Sequence, residues 1–545
     1  MTKTVLVVGA GVSGLAAVKH CLDEGMEPIC FEKDTDVGGL WNYHDWSKEG
    51  DPSLYNSCSI NTSKEMTCYS DFPIPKEFPN FMGHRHFKKY LELYAEHFNL
   101  RKYIKFSHSV ENIKKADDFD ETGNWMTLVK NLETGKFQNL KTNFVIVCNG
   151  HLHVPNVPTF PGLKKFKGKV MHTHDYKDFR GFEGKRILVM GIGNSGSDVA
   201  CELSRHAEHV YMSSRRGTYV IQRAADHGVP FDHLALNRFS MKLPWSLMRP
   251  LFFHRLNRRY NHANYGLSPN KRFDASVLTI SDDLPNRILL GTINIKCNVK
   301  EFTVDGAIFE DGTELKDIDV VILATGFNFD FPFLDDGIIK IDGHFPYLYE
   351  LVFPTNLNPC TLGVVGLVQP FGALPPILEM QTRCITRVFA GKCKLPSAPQ
   401  RLEIVEKRKS FIMSNFIDSP RYSLQIYSVQ YMDRLASMIG CKPNFWKYFF
   451  TDPKLWYRIV FGPATPVQWR LNGPGAWKGA KRAIETVKEH TYFPMKSRRS
   501  GDGEMDGLYD GWIQLFRKVC FVASIPLIVR YLYVNGFFKS LINFF

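Results

Sequence analysis

The chain has 545 residues, 44% of them hydrophobic and 23% charged, with 30 Pro and 41 Gly. That balance describes a folded globular protein and excludes disordered and collagen-like chains. At about 100–200 residues per domain, the length accommodates roughly three to four domains. The formal charge is +13, and the excess is uneven: eleven Lys and Arg face three Asp between Arg215 and Asp274. Such a segment can meet a phosphorylated ligand, an anionic membrane surface or nucleic acid. No nucleic-acid recognition signature accompanies it, so a nucleic acid partner is not expected. The twelve Cys form no C-x-x-C pair and no cluster with zinc spacing. A disulfide framework, a zinc site and a dithiol redox centre are therefore not expected, and reduced thiols on the cytosolic side are.

In chain order, the first predicted element is a short apolar strand, Val5 to Val8, followed by Gly9-Ala10-Gly11-Val12-Ser13-Gly14 and helix-compatible residues. This is G-x-G-x-x-G. The first glycine makes the turn, the second admits a pyrophosphate and the third packs helix on strand. Eighteen residues after Gly14, at the end of Ile29-Cys30-Phe31, stands Glu32, placed to accept from ribose hydroxyls of an adenine nucleotide. A second apolar run, Ile187 to Met190, carries the same pattern in Gly191, Gly193 and Gly196. Eighteen residues after Gly196 comes Ser214, then Arg215-Arg216, with no acid. A carboxylate would repel a 2′-phosphate and a guanidinium would bind it. The first motif thus predicts FAD or NAD, and the second NADP(H); paired surface arginines are the plainer alternative for Arg215 and Arg216. Each half closes alike, with Phe144 to Val147 before Cys148-Asn149-Gly150 and Val320 to Leu323 before Ala324-Thr325-Gly326. These read as buried parallel strands. The fold class is α/β, with two Rossmann-like dinucleotide-binding domains, an inserted helical subdomain and a hydrophobic C-terminal tail. The tail contains the apolar run Val519 to Val529 and continues to Phe538, interrupted by Arg530 and Asn535 and carrying Pro526 in its middle. It can span a bilayer, lie in its interface, or form a buried core helix.

Further landmarks carry a family resemblance. Phe166-Lys167-Gly168-Lys169-Val170-Met171-His172-Thr173-His174-Asp175-Tyr176 fits F-x-G-x-x-x-H-x-x-x-Y just before the second glycine motif. Gly38-Gly39-Leu40-Trp41, Asn61-Thr62-Ser63-Lys64-Glu65-Met66, Cys68-Tyr69-Ser70-Asp71-Phe72-Pro73, Ala324-Thr325-Gly326-Phe327 and Gly473-Pro474-Gly475-Ala476-Trp477 extend through nearly the whole chain. Together they resemble the flavin-containing monooxygenases, in particular the animal microsomal enzymes. The segments from Ile60 to Met66 and Ser214 to Gly217 look most like their isoform 5 group.

The resemblance implies that FAD is reduced by NADPH and reacts with O2 to form a C4a-hydroperoxide. One oxygen atom then passes to a soft sulfur or nitrogen of a small lipophilic molecule. Baeyer–Villiger oxidation of ketones is the serious rival, and an NADPH oxidase releasing hydrogen peroxide is a third reading. Gly9, Ala10, Gly11, Val12, Ser13 and Gly14 are expected to cradle the FAD pyrophosphate and Glu32 its ribose, while Leu40, Trp41, Ile60 and Thr62 contact the flavin. Asn61 and Asn194 are the expected catalytic amides; a neutral amide donates a hydrogen bond without adding an acid. Gly191, Gly193, Ser195, Gly196, Ser197 and Asp198 are expected at the NADP phosphates, with Arg215, Arg216 and Arg223 at the 2′-phosphate. His172 and His174 are read as links between the nucleotide domains, and Phe327 stands where Tyr is commoner in the family. The expected domains are 1–154 with 331–445 for FAD, 155–214 with 296–330 for NADP, and the basic insertion 215–295. A segment 446–510 then packs on the FAD domain, and 511–545 is the membrane-associating tail. The insertion and tail imply attachment to the endoplasmic reticulum membrane with the catalytic body in the cytosol; a homo-oligomer is compatible with this picture.

Overall fold

The computed structural model describes residues 2–243, 245–269, 278–415 and 420–497. The tail 511–545, expected at a membrane, lies outside them. Five parallel strands form the first sheet, and four come early: β1 (Thr4–Val8), β2 (Glu27–Phe31), β3 (Ile104–Lys105) and β4 (Phe144–Val147). Helix α1 (Val12–Asp23) joins β1 to β2, and α2 (His84–His97) precedes β3. The chain then builds a second sheet from β5 (Lys169–His172), β6 (Arg186–Met190), β7 (His209–Ser213), β8 (Ile293–Lys296) and β9 (Val320–Leu323). Helix α3 (Asn194–Leu203) follows β6. Finally β10 (Leu362–Val364) returns to the first sheet. The orders are β10-β4-β1-β2-β3 and β8-β7-β6-β9-β5.

The two sheets repeat one design down to register. Val5 pairs with Phe144 as Ile187 pairs with Val320, and Thr4 with Glu27 as Arg186 with His209. Both central strands are buried on both faces. Val5 and Val7 enter one apolar cluster while Leu6 and Val8 enter another, and Ile187 and Val189 separate from Leu188 and Met190 in the same way. Continuous apolar runs are what a two-sided parallel strand requires.

The insertion departs from its predicted limits. Ile293–Lys296 pairs in parallel with β7, so the strand belongs to the second sheet and an insertion ending at residue 295 would cut through it. The inserted part contains α4 (Phe231–Ala235), α5 (Arg238–Lys242) and α6 (Trp245–Asn257). It is anchored by parallel pairing of Tyr219–Ile221 with Leu278–Ile280.

After β10 come α7 (Pro375–Phe389), α8 (Phe445–Thr451), α9 (Pro453–Phe461) and α10 (Val487–Tyr492). A buried ionic knot ties this C-terminal part to the first unit. Arg470 donates from Nε to Ser70 Oγ at 2.6 Å and from Nη2 to Glu379 Oε1 at 2.7 Å, and its Nη1 donates to the Gly475 carbonyl at 2.9 Å. Arg383 reaches the Pro474 carbonyl at 3.1 Å. Burial favours a neutral Glu379, yet Arg470 and His20 hold its carboxyl well below the usual range. The knot explains why the Cys68–Pro73 and Gly473–Trp477 motifs occur in one chain: they meet across it. Losing one partner would strand a buried charge, a cost of about 3–5 kcal/mol.

Candidate active site

In the first cradle Gly9 has φ +95° and its N–H donates to the Phe31 carbonyl at 2.8 Å. A Cβ at Gly14 would lie 1.9 Å from the Gly9 carbonyl oxygen, so helix and turn are pressed together. Gly11 caps α1 without a side-chain hydrogen bond, and the first turn holds no acid. The orphan N–H groups and the helix dipole there suit a phosphate. Glu32 is buried, accepting from Ala10 N–H at 2.6 Å and Asp34 N–H at 2.9 Å. Burial outweighs those bonds and raises its pKa. A carboxylate offers about four lone-pair sites, so two remain for ribose hydroxyls. Val12 and Ser13 complete the turn, with the Val12 carbonyl accepting from Tyr69 OH at 2.7 Å. Gly11 bridges to Gly38, and its Cβ would meet Gly39 Cα at 3.5 Å.

The second cradle is built alike. Gly191 has φ +113°, its N–H donates to the Ser213 carbonyl at 2.9 Å, and a Cβ on Gly196 would lie 2.2 Å from the Gly191 oxygen. Gly193 caps α3 with no side-chain bond and no acid in the first turn. Unlike Gly11, Gly193 has nothing among the described residues within 4 Å of an added Cβ. Both loops thus fit a dinucleotide phosphate by the same test: glycines where a side chain would collide or fill the approach, beneath uncapped N–H groups. Ser197 departs from its expected role, being fully buried on the inner side of α3. Arg215 and Arg216 are exposed beyond β7, outside the walls of the central cavity.

That cavity, about 980 Å3, lies between the cradles. Leu40, Trp41, Ile60, Asn61 and Thr62 line it from the first unit, and Asn194, Ser195 and Asp198 from the second. Arg223, expected at the 2′-phosphate, instead reaches the centre: its Nη2 donates to Asn61 Oδ1 at 2.9 Å while its Nη1 pairs with Asp282 at 3.1 Å. The Asn61 NH2 is therefore the half of the amide left for a ligand. Asn194 Oδ1 accepts from Ile280 N–H at 2.9 Å, leaving its NH2 likewise. Thr62 Oγ1 bonds Thr67 Oγ1 at 2.8 Å. Tyr55 OH donates to Asp198 at 2.8 Å, joining the units; burial raises the Asp198 pKa despite that bond and Arg223. His174 adds a second joint through Nε2 and the Asp51 carbonyl at 2.8 Å.

Sequence reasoning missed the insertion's share of this site. Asp232 on α4 is buried and accepts from Ser63 N–H at 2.6 Å, pinning the turn that carries Asn61. Burial raises its pKa against the pull of His233 and Ser63. Phe231, Leu236 and Phe252 add apolar wall. One signal pointed there: Asp232 is one of only three acids in the basic stretch Arg215 to Asp274.

Two uncapped glycine cradles in two repeated units whose side chains wall one cavity are the architecture of a protein that binds two dinucleotides. The family model for flavin-binding monooxygenase-like proteins matches residues 2–530, and the chain belongs to that family. It is 44% identical over 508 residues to human flavin-containing monooxygenase 2, covering 92% of this chain and 95% of the relative. Guinea pig (Cavia porcellus) flavin-containing monooxygenase 5 is also 44% identical, over 505 residues covering 91% and 94%. Equal identity to both does not single out the isoform 5 group. Among solved structures, S-allyl-L-cysteine S-oxygenase from Allium sativum superposes with a TM-score of 0.62 at 23% identity, covering 90% of this chain and 99% of that one. Cyclohexanone monooxygenase gives 0.58 at 19%, covering 81% and 98%. These two likenesses bear on the fold. Family membership makes the protein an NADPH-dependent flavin monooxygenase using FAD and O2.

Proposed function

We propose that the enzyme oxygenates soft sulfur or nitrogen atoms of small lipophilic compounds in the cavity between its cradles. FAD would rest on Gly9–Gly14 with its ribose at Glu32, and NADPH on Gly191–Gly196 with its 2′-phosphate at Arg215 and Arg216. The bound flavin, reduced by NADPH, supplies O2 activation and transfer of one oxygen atom. The chain's own residues bind, orient and exclude water. Asn61 and Asn194 present amide NH2 groups from opposite units, and Arg223 holds the Asn61 carbonyl away from the reacting space. Leu40, Trp41, Ile60 and the insertion's phenylalanines keep that space dry, which strengthens each hydrogen bond within it. The observation that carries this reading is the convergence of Asn61 and Asn194, from two separate nucleotide units, and Arg223, from the insertion, on one cavity. A lipophilic substrate fits a location at the endoplasmic reticulum membrane, the body facing the cytosol and attachment running through 511–545 and the basic insertion.

A thioether and an aliphatic ketone offered together with NADPH and O2 test the reaction. Sulfoxide as the main product, with oxygen incorporated in step with NADPH consumed, supports the proposal. Ester as the main product would make the enzyme a Baeyer–Villiger oxygenase, and peroxide stoichiometric with NADPH regardless of substrate would make it an oxidase.

A further inference from the structure

The turn that carries Asn61 does not hold its own shape. Behind Asn61 and Thr62 stands one helical turn, Lys64–Thr67, four residues long. A single turn fixes several dihedrals for one hydrogen bond, so a piece this short is stable only when outside partners hold it. Asp232 is one such partner, through Ser63 N–H. A further set comes from residues 76–82. Ile60 N–H donates to the Met82 carbonyl at 2.9 Å and Lys64 N–H to the Asn80 carbonyl at 2.8 Å, one before Asn61 and one after it. Lys64 Nζ, on a fully buried side chain, donates to the carbonyls of Lys76 at 2.7 Å and Phe78 at 2.8 Å. Burying that amine without acceptors would be costly, so Lys64 is tied to them.

Residues 76–82 are themselves turns and bends, without helix or strand, and they lean on α10 and the residues just after it. Asn80 Nδ2 donates to the Thr491 carbonyl at 2.7 Å. Lys76 Nζ stands 4.4 Å from the centroid of the Phe493 ring. His490 Nδ1 lies 3.9 Å from Glu65 Oε1, on the helical turn itself. Thr491 is buried, and Ile484, just ahead of α10, belongs to the apolar cluster of Leu455 and Ile459. Asn80 is therefore the joint of the relay: its carbonyl holds the turn and its side-chain amide holds α10.

We infer that Asn80 is a positioning residue for the Asn61 amide, with α10 as the buttress against which it works. The inference rests on the reading that Asn61 presents its NH2 to the reacting space. Arg223 and Asp232 hold the turn from the insertion; Asn80 adds a hold from the C-terminal part. Asn80 lies outside the cavity walls, so it acts only through what it aims. A hydrogen bond weakens steeply when misdirected, and an error of about 1 Å at a reacting centre costs up to about 100-fold in rate. Loosening this remote contact is thus read as turnover rather than as cofactor binding.

Full-length, FAD-loaded enzyme with methyl phenyl sulfide, NADPH and O2 provides the test. Asn80→Ala keeps the carbonyl that holds Lys64 N–H and removes only the amide that reaches α10. Turnover per bound flavin should fall about tenfold, the worth of one well-placed hydrogen bond, and peroxide released per NADPH should rise. Flavin content and the KM for NADPH should stay within about twofold of the parent, since neither cradle is touched. In an Asn61→Ala background the same substitution should change turnover by less than about twofold, because a residue acting through Asn61 has nothing left to aim. Lys76→Met keeps the stem and the carbonyl and loses only the charge over Phe493. It spares folding if Asn80→Ala does not, and should lower turnover about threefold. Parent turnover per flavin in these variants, even with a lower melting temperature, overturns the inference alone. So does an undiminished effect of Asn80→Ala in the Asn61→Ala background. Parent turnover in Asn61→Ala itself overturns the role of that amide in the proposed function, and this inference with it.

Discussion

The two nucleotide cradles share strand order, register and glycine chemistry, yet one is closed and the other open. In the first, the Gly38–Gly39 turn lies over Gly11, close enough that an added Cβ would touch Gly39. In the second, nothing among the described residues stands within 4 Å of the same position on Gly193. The first also ends β2 in a buried acid, Glu32, whereas the second ends β7 in Ser213 and then exposed arginines. A clasped loop suits a cofactor that stays; an open loop with cations at its edge suits one that arrives and leaves. One local design thus occurs in two surroundings, and the difference lies in what covers the middle glycine.

The sharpest way to break that contrast is a methyl group on the third glycine of the first cradle set against one on the middle glycine of the second. Gly14→Ala drives a Cβ into the Gly9 carbonyl, 1.9 Å away. Purified protein should carry less than about a tenth of the parent's flavin and show no oxygenation. Gly193→Ala meets open space, so flavin absorbance should stay normal and only the KM for NADPH should rise, by less than about tenfold. Equal flavin loss in both variants would erase the distinction between resident and exchanging sites.

Much of this was readable in advance, for local reasons. G-x-G-x-x-G, an acid eighteen residues later and apolar runs of strand length are properties of contiguous chain, and the sheets obey them to within a residue at the strand starts. What could not be read depends on convergence of distant segments. Arg223 follows Arg215 and Arg216 closely in sequence, but the pairing of Tyr219–Ile221 with Leu278–Ile280 turns the chain back toward Asn61. Ser197 sits inside the phosphate-binding motif, yet the helical period places it on the buried side. The partners Ser70, Glu379 and Arg470 are spread over 400 residues, and no periodicity announces them.

The next contrast concerns charge. Arg215→Ala/Arg216→Ala should raise the KM for NADPH by about 100-fold and leave NADH nearly unaffected, since each charge-assisted bond to a phosphate contributes about 1.5–3 kcal/mol. An unchanged NADPH-to-NADH preference would reduce both arginines to solvated loop charges. Arg223→Lys is smaller and different in kind. A lysine cannot bridge Asp282 and the Asn61 carbonyl with a planar fork, so kcat should fall about tenfold with flavin content and NADPH preference intact. A change in NADPH KM alone would return Arg223 to the phosphate.

The smallest effect belongs to the acid that the second cradle lacks. Burial raises the Glu32 pKa above its ordinary 4.5, so the folded protein holds that proton to higher pH than the unfolded chain does. The sign follows: stability from this group is full below about 4.5 and is lost as pH rises through the raised folded value. Glu32→Gln removes the titration, so FAD-free protein should lose less of its thermal stability than the parent between about pH 5 and pH 8. With FAD added the order should reverse, because the amide offers one acceptor oxygen where the carboxylate offers two to the Ala10 N–H and the ribose hydroxyls. Melting curves of both proteins, with and without FAD at each pH, measure the crossing. If Glu32→Gln melts lower than the parent without FAD at high pH, the carboxylate is a structural anchor of the loop, and its ribose role no longer accounts for a buried charge that only the first cradle carries.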